Sequence, residues 1–156
     1  MADKTSDLIA FLGGVMADIS VANGYNNDVV EVTYGVTTYN ANNFASAKYP
    51  RIHIIANQIS IPDFSTKVNS QTEVNIKIDA YLRKGNDLET SLETYQASLG
   101  WSQDIRRALT TYFKTEPNSI DSDLKDNRIE QEIGFPMTLL TCSTEFGVIF
   151  EEDLIS

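Results

Sequence analysis

One histidine and one cysteine are the side chains in this chain with the widest range of catalytic and metal-binding chemistry. His53 stands between Ile52 and Ile54, and strand alternation places it on the opposite face from them. Acid–base catalysis by His53 would need a nucleophile or carboxylate partner, and the sequence marks none. Cys142 lies in an apolar strand pattern, which is typical of a small buried side chain and not of a reactive thiolate. A zinc site would need mostly carboxylate ligands, so we expect neither a catalytic residue nor a metal site.

An acidic segment after residue 120 has part of the spacing of an EF-hand calcium loop. Asp121, Asp123 and Glu132 match the first, third and twelfth positions of such a loop. However, Lys125 stands where an oxygen ligand belongs, and Asp126 stands where glycine makes the sharp turn. β-forming residues follow where a helix should flank the loop, so we expect no calcium site.

Two adjacent glycines, Gly13 and Gly14, lie within a helix pattern and not in a phosphate-binding loop, since no Gly-Lys-Ser/Thr sequence follows them. They indicate close packing against another backbone or a local kink. No Gly-x-Ser-x-Gly nucleophile sequence occurs either. The sequence therefore predicts a protein that is not an enzyme, has no cofactor and acts by assembling with other proteins.

The net charge of −10 is concentrated in the last quarter of the chain. Residues 116–156 contain ten acidic and two basic side chains, which supply −8 of that total. Such a field repels phosphates, so tight binding to nucleic acid is not expected. A solvated acidic surface that keeps the protein soluble is an equally good interpretation.

Size and composition predict one domain over residues 1–156. The chain is 42% hydrophobic and 22% charged, as expected when one core is buried. No run approaches the ~20 apolar residues of a membrane span, and the first residues lack the features of a secretion signal. A single cysteine allows no intrachain disulfide. These features predict folding in a cytoplasm, with no membrane partner.

The first predicted helix carries an apolar stripe that includes Leu8 and Leu12. Thr5 or Ser6 is the expected cap at its start. The left-handed stop at Asn23-Gly24 predicts that the helix ends near Ala22.

A second helical region is predicted over residues 87–113. One apolar stripe comprises Leu88, Leu92, Tyr95 and Leu99, and another comprises Trp101, Ile105, Ala108 and Tyr112. The two stripes differ by about 150° around a helix. We therefore expect a kink at Gly100, or two helices with Ser102 capping the second.

Alternating polarity predicts five strands, at residues 29–36, 51–56, 73–81, 128–133 and 136–150. The third is the clearest, because Val74, Ile76 and Ile78 point one way while Glu73 and Lys77 point the other. One face should pack on a core while the other meets water or a partner. The order α-β-β-β-α-β-β predicts an α+β fold, with an antiparallel or mixed sheet and helices packed on one face.

Four short segments carry a resemblance to a known family. They are residues 16–29, MADISVANGYNNDV; residues 49–54, YPRIHI; residues 74–82, VNIKIDAYL; and residues 102–109, SQDIRRAL. With the order of the elements, they resemble the tail terminator, or tail completion, proteins of long-tailed bacteriophages. In that family a first helix ends in a small-residue turn, and a central strand leads through a turn to a second helix. Two features depart from the family pattern: the longer helical region over residues 86–100 and an acidic tail beyond Phe146.

The resemblance implies a structural protein of the virion neck that is assembled in the host cytoplasm. It would form a ring, typically a hexamer, that caps the tail tube, ends tail polymerisation and offers a docking surface for the head connector. The implied partners are further copies of the chain, the tail tube protein and the head–tail connector or stopper protein. DNA would pass through the ring without being tightly bound. The alternatives are a head-completion or stopper protein and a non-viral adaptor domain.

Two sets of residues are candidate contact sites. The long polar loops near residues 40–48 and 62–70 are the expected subunit or partner contacts. Their candidates are Asn42, Phe44, Lys48, Asp63, Phe64 and Lys67. The candidates for an acidic lumen or rim of the ring are Asp121, Asp123, Asp126, Glu151, Glu152 and Asp153.

Overall fold

The computed structural model describes residues 3–35, 48–62, 69–84, 92–114, 120–134 and 139–153. The helices are α1 (Lys4–Ala17) and α2 (Leu92–Lys114), with a 3₁₀ turn at Val21–Asn23. The strands are β1 (Glu31–Tyr34), β2 (Arg51–Ser60), β3 (Asn69–Lys84), β4 (Asp123–Gly134) and β5 (Leu139–Asp153). The predicted α+β fold and the order α-β-β-β-α-β-β are confirmed.

The strands form one five-stranded mixed sheet in the order β1-β2-β3-β5-β4. β1 is parallel to β2, and every other neighbouring pair is antiparallel. β3 lies at the centre and pairs with β5 from Asn69↔Asp153 to Lys84↔Leu139. The longest strands are therefore interior strands, and β1 and β4 are the edges.

The helices pack on one face of this sheet and bury its apolar side chains. α1 contacts β1 and β2, whereas α2 contacts β5 and β4. Val74, Ile76 and Ile78 of β3 have no exposed surface, and Phe146 and Val148 of β5 complete the same layer. We call the other face of the sheet, which carries Glu73 and Lys77, the polar face. The predicted face assignment of β3 is thus confirmed.

α1 begins earlier than predicted, because Asp3 and neither Thr5 nor Ser6 caps it. The Asp3 carboxylate accepts a hydrogen bond from the Ser6 amide at 3.1 Å, which satisfies a free donor of the first turn.

α1 also ends at Ala17, five residues before the predicted end at Ala22. The reason is that Ser20 caps the start of a separate 3₁₀ turn, which the sequence pattern does not predict. Ser20 accepts a hydrogen bond from the Asn23 amide at 3.2 Å and starts the 3₁₀ turn. Gly24 is left-handed, with φ of 87°, as the sequence predicts, but it closes this turn and not α1.

Gly13 allows β1 to approach α1 closely. A Cβ atom at Gly13 would lie 1.9 Å from the Tyr34 hydroxyl, whereas one at Gly14 would meet nothing within 4 Å. The predicted close packing therefore exists at one of the two glycines, against a side chain of β1 and not against a backbone.

α2 is one continuous helix, so the predicted division into two helices at Gly100 is wrong, while the alternative, a kink, stays a prediction. Ser102 does not cap a second helix, since its hydroxyl donates to the Leu99 carbonyl at 2.8 Å within the helix. Trp101 is fully buried, while Leu92, Tyr95 and Leu99 are 70%, 56% and 43% exposed. The continuous helix faces the sheet with one of the two stripes, and the other stays outside. The predicted start of this region at residue 87 lies outside the described residues.

β4 begins at Asp123, within the segment predicted to be an acidic loop. Four residues of β4 (125–128) but one residue of β5 (147) lie between the pairs Leu124↔Val148 and Ile129↔Phe146. Asp126 and Asn127 take left-handed φ values of 57° and 51° in this bulge. Pairing with β5 makes the segment a strand in spite of its polar sequence.

β5 continues to Asp153, so the residues predicted as an acidic tail lie in a strand paired with β3. The other strand boundaries also move. β1 is shorter than the predicted 29–36, whereas β2 and β3 extend beyond 51–56 and 73–81.

Candidate functional site

Five of the six acidic lumen candidates collect at one end of the sheet, which we call the acidic end. They are Asp121, Asp123, Glu151, Glu152 and Asp153. Asp123 is paired with Ile149, and Glu151 is the next residue of β5 on the same face. The segment around residues 121–123 and the end of β5 lie side by side here, because β4 begins where its antiparallel neighbour β5 ends.

The helices also hold this end together. The Lys4 ammonium at the start of α1 donates to the Glu151 carbonyl at 2.6 Å. The Tyr112 hydroxyl, near the end of α2, lies 3.4 Å from the Ser122 hydroxyl. On β3, the Thr72 hydroxyl donates to the Glu152 carboxylate at 3.0 Å. Side chains of α1, α2 and β3 therefore contact the segments that form the acidic end.

Asp126, the sixth candidate, lies in the bulge of β4 beside an ion pair. The Lys125 ammonium donates to the Glu73 carboxylate at 2.9 Å and crosses Gly147 of β5 on the way. A Cβ atom at Gly147 would lie 3.0 Å from the Lys125 Cβ, so glycine makes room for this crossing. The hydrogen bond to Glu73 raises the pKa of Lys125. Asp126 thus has a basic neighbour in the chain.

Among the loop candidates, only Lys48 falls within the described residues, and its side chain is exposed. The other five lie outside the described residues: Asn42, Phe44, Asp63, Phe64 and Lys67.

His53 lies on the polar face as its spacing predicts, but it is only 5% exposed. Its Nδ1 is 2.8 Å from the Thr33 hydroxyl of β1. On the other side the register pairs it with Asp79, whose carboxylate accepts a hydrogen bond from Ser143 at 3.0 Å. A row of polar side chains thus crosses four strands. The expectation that this face meets water or a partner is wrong at this row.

A second buried row lies next to the first. The Arg51 guanidinium donates to the Glu31 carboxylate at 2.9 Å, and Arg51 and Tyr81 are 6% and 5% exposed. Burial raises the pKa of Tyr81 above its usual value, and the negative charge of Asp79 raises it further. Burial lowers the pKa of Arg51, an effect that Glu31 opposes. The ion pair between Arg51 and Glu31 thus links β2 to β1.

Cys142 is 1% exposed on the helix-facing side of β5, the apolar face predicted for it. Burial raises the pKa of its thiol, which favours the neutral form at neutral pH. The Gln131 amide donates to its sulfur at 3.6 Å.

Asp104 is a fully buried carboxylate that the sequence does not single out. It accepts hydrogen bonds from the backbone amides of Asn26 and Asn27 at 2.9 and 3.0 Å, and also from both side-chain amides. Three residues further along α2, Arg107 donates to the Gly24 carbonyl at 2.6 Å. Apart from its place in the resembling segment 102–109, Asp104 has one sequence signal, which is a charged residue directly before Ile105 of the stripe that the helix buries.

Comparisons with known proteins supply no family for the chain. A scan against models of protein families finds no match, and a search of curated proteins finds no significant match. In the described ranges, no three His, Cys, Asp or Glu side chains are grouped so as to hold a metal ion. No helix of the described residues is long and apolar enough to cross a membrane.

Proposed function

We propose that this chain is a structural protein of a bacteriophage neck. Six copies form a ring on the end of the tail tube, stop its polymerisation and offer the surface to which the head connector docks. The resemblance of four segments to the tail terminator family carries this proposal.

Contacts between the resembling segments support it. Asp104 and Arg107, from residues 102–109, bind the backbone at Gly24, Asn26 and Asn27, from residues 16–29. Residues 49–54 and 74–82 are neighbours in the sheet, where Arg51 is paired with Tyr81. Segments that contact each other constrain each other's sequence, so similarity in such pairs is what a shared fold would produce.

The acidic end suits the passage through such a ring. Exposed carboxylates at Asp121, Asp123 and Glu151 would repel the phosphates of passing DNA. A head-to-tail contact whose rotation closes yields a ring that cannot grow into a filament, and so can end a tube. Chemistry at a catalytic site is not needed for this role.

Electron microscopy of the protein mixed with its tail tubes tests the proposal. We expect a sixfold ring at one end of each tube and no elongation beyond it. Tubes without the protein are the control, and they should continue to grow. Free subunits can remain monomeric, because the tube serves as the template.

A reconstruction of the assembled particle with no symmetric ring of this chain between tail and head would contradict the proposal. Binding to the head connector without tubes, together with no binding to tube ends, would point to a stopper protein instead.

A further inference from the structure

The outer edge of β4 is open among the described strands, because the sheet order leaves β4 with one neighbour, β5. From residue 129 to residue 134, β4 pairs with β5 without interruption. In a regular antiparallel strand every second residue points its amide and carbonyl to the outer side. This stretch therefore presents a row of hydrogen-bonding groups long enough for one short strand.

The exposed apolar stripe of α2 lies above this edge. The Gln131 side chain of β4 donates to the Ser102 carbonyl at 3.0 Å, which identifies the side of α2 that faces β4. At ~100° per residue, Tyr95 and Leu99 lie within about 60° of Ser102 around the helix. The segment around Asn26 contacts α2 on another side, at Gly100 and Asp104. Tyr95 and Leu99, 56% and 43% exposed, thus overhang the open edge.

The polar face next to the same edge is negatively charged. Glu130 and Glu132 are exposed there, and Glu130 is paired in register with Glu145. Arg128 forms an ion pair with Glu130, and Lys77 is the residue opposite Glu145 on β3. Like charges in directly opposed positions are unfavourable, so a further positive charge at this edge would be stabilising.

We propose that the open edge of β4 binds an extended segment of a partner protein in which basic and apolar residues alternate. Its backbone would pair with residues 129–134. Its apolar side chains would pack beneath Tyr95 and Leu99, and its basic side chains would meet Glu130 and Glu132.

Charge complementarity selects a basic partner over the same edge of a second copy, which would bring its own Glu130 and Glu132 against these carboxylates. This binding mode adds a strand to a sheet edge, with backbone bonds giving affinity and alternate side chains giving specificity. The inference goes beyond the proposed ring and holds whether or not the chain forms one.

A fluorescent seven-residue peptide of alternating lysine and valine is the probe, and anisotropy titration measures its binding. We expect saturable binding that weakens as salt is raised. Two control peptides should bind much more weakly. One has the same composition with its lysines and valines in separate blocks, and the other carries glutamate in place of lysine.

Three variants locate the binding site. Leu99→Ser removes most of the apolar overhang without changing the charge and should weaken binding of the peptide about tenfold. Val21→Ser makes a similar change at a residue that is 58% exposed in the 3₁₀ turn, and should bind like the parent. Glu132→Gln should weaken binding roughly two- to fivefold, the size of one exposed ion pair.

Equal affinity of the parent and the Leu99→Ser variant, or no binding at millimolar peptide, would overturn the proposal. So would sedimentation showing that Leu99→Ser dissociates an oligomer of the parent, since the occupant would then be a second copy. Slower amide exchange confined to residues 129–134 in the complex would support it.

Discussion

A single carboxylate, Asp104, joins α2 to the segment that precedes β1. Because four donors converge on it and it has no exposed surface, removing it leaves polar groups of that segment without partners. We expect Asp104→Ala to lower the free energy of unfolding by about 2–4 kcal/mol. Urea unfolding at an unchanged m value measures the loss.

Glu93→Ala is the matched control, since it removes an exposed carboxylate from the same helix. It should change the free energy of unfolding by no more than about 0.5 kcal/mol. Equal effects of the two substitutions would show that the hydrogen bonds of Asp104 contribute little.

Tyr81 should make stability fall at high pH. Its pKa is raised in the folded chain, first by burial and then by Asp79, so the unfolded chain loses the phenolic proton at a lower pH. Stability from this group is complete below the unfolded pKa of about 10 and is lost as pH rises above it. We expect Tyr81→Phe to flatten the fall in the free energy of unfolding above about pH 10.

Tyr95→Phe is the control for that measurement, because Tyr95 is 56% exposed on α2. It should keep the pH dependence of the parent. A Tyr81→Phe variant whose stability falls as steeply as that of the parent would contradict the assignment.

Single residues are where the sequence is least informative. Spacing identifies the helical face that carries Asp104, but not the distant segment, around Asn26, that folds against that face. The same is true of His53, whose face follows from alternation while its burial depends on the packing of the whole chain. Asp123 and Glu151 lie together at the acidic end because of the register of β4 against β5. No local sequence pattern specifies that register.

A helix or strand can be predicted from the sequence where the pattern that specifies it lies within that helix or strand. The alternation of Val74, Ile76 and Ile78 is a property of β3 itself, so its type and buried face are predictable. α2 differs, since periodicity reveals two apolar stripes but not which of them the sheet covers. The start of β4 differs too, because pairing with β5 overrides the loop-forming character of residues 121–127.

The two glycines of α1 give a matched pair at the scale of one element. Gly14→Ala should raise the free energy of unfolding by about 1 kcal/mol, because alanine favours the helix and its Cβ meets nothing within 4 Å. Gly13→Ala should gain less or lose stability, since the Tyr34 ring must move away. Thermal unfolding compares them, and equal gains would contradict the close approach of β1 to α1.

The acidic end can be tested on the whole molecule by reversing its charge. We expect Asp123→Lys with Glu151→Lys to fold normally, since both side chains are exposed on strands, and to slow the exit of DNA from assembled particles. Asp18→Lys with Glu93→Lys changes the net charge equally, at the ends of α1 and α2 far from the acidic end. Ejection kinetics should separate the two variants, and equal rates would show that the acidic end does not face the passage.

The position of β3 between β2 and β5 also has a consequence for biosynthesis. β5 follows α2 and β4 in the sequence, so the central pairing of the sheet waits until both of them have left the ribosome. Pairing between strands so distant in sequence gives a high contact order and slow folding. Until β5 arrives, the nascent chain presents one open side of β3 along its whole length, a template for mispairing with other chains. The time between synthesis of β3 and of β5 is therefore when this protein is most prone to aggregate.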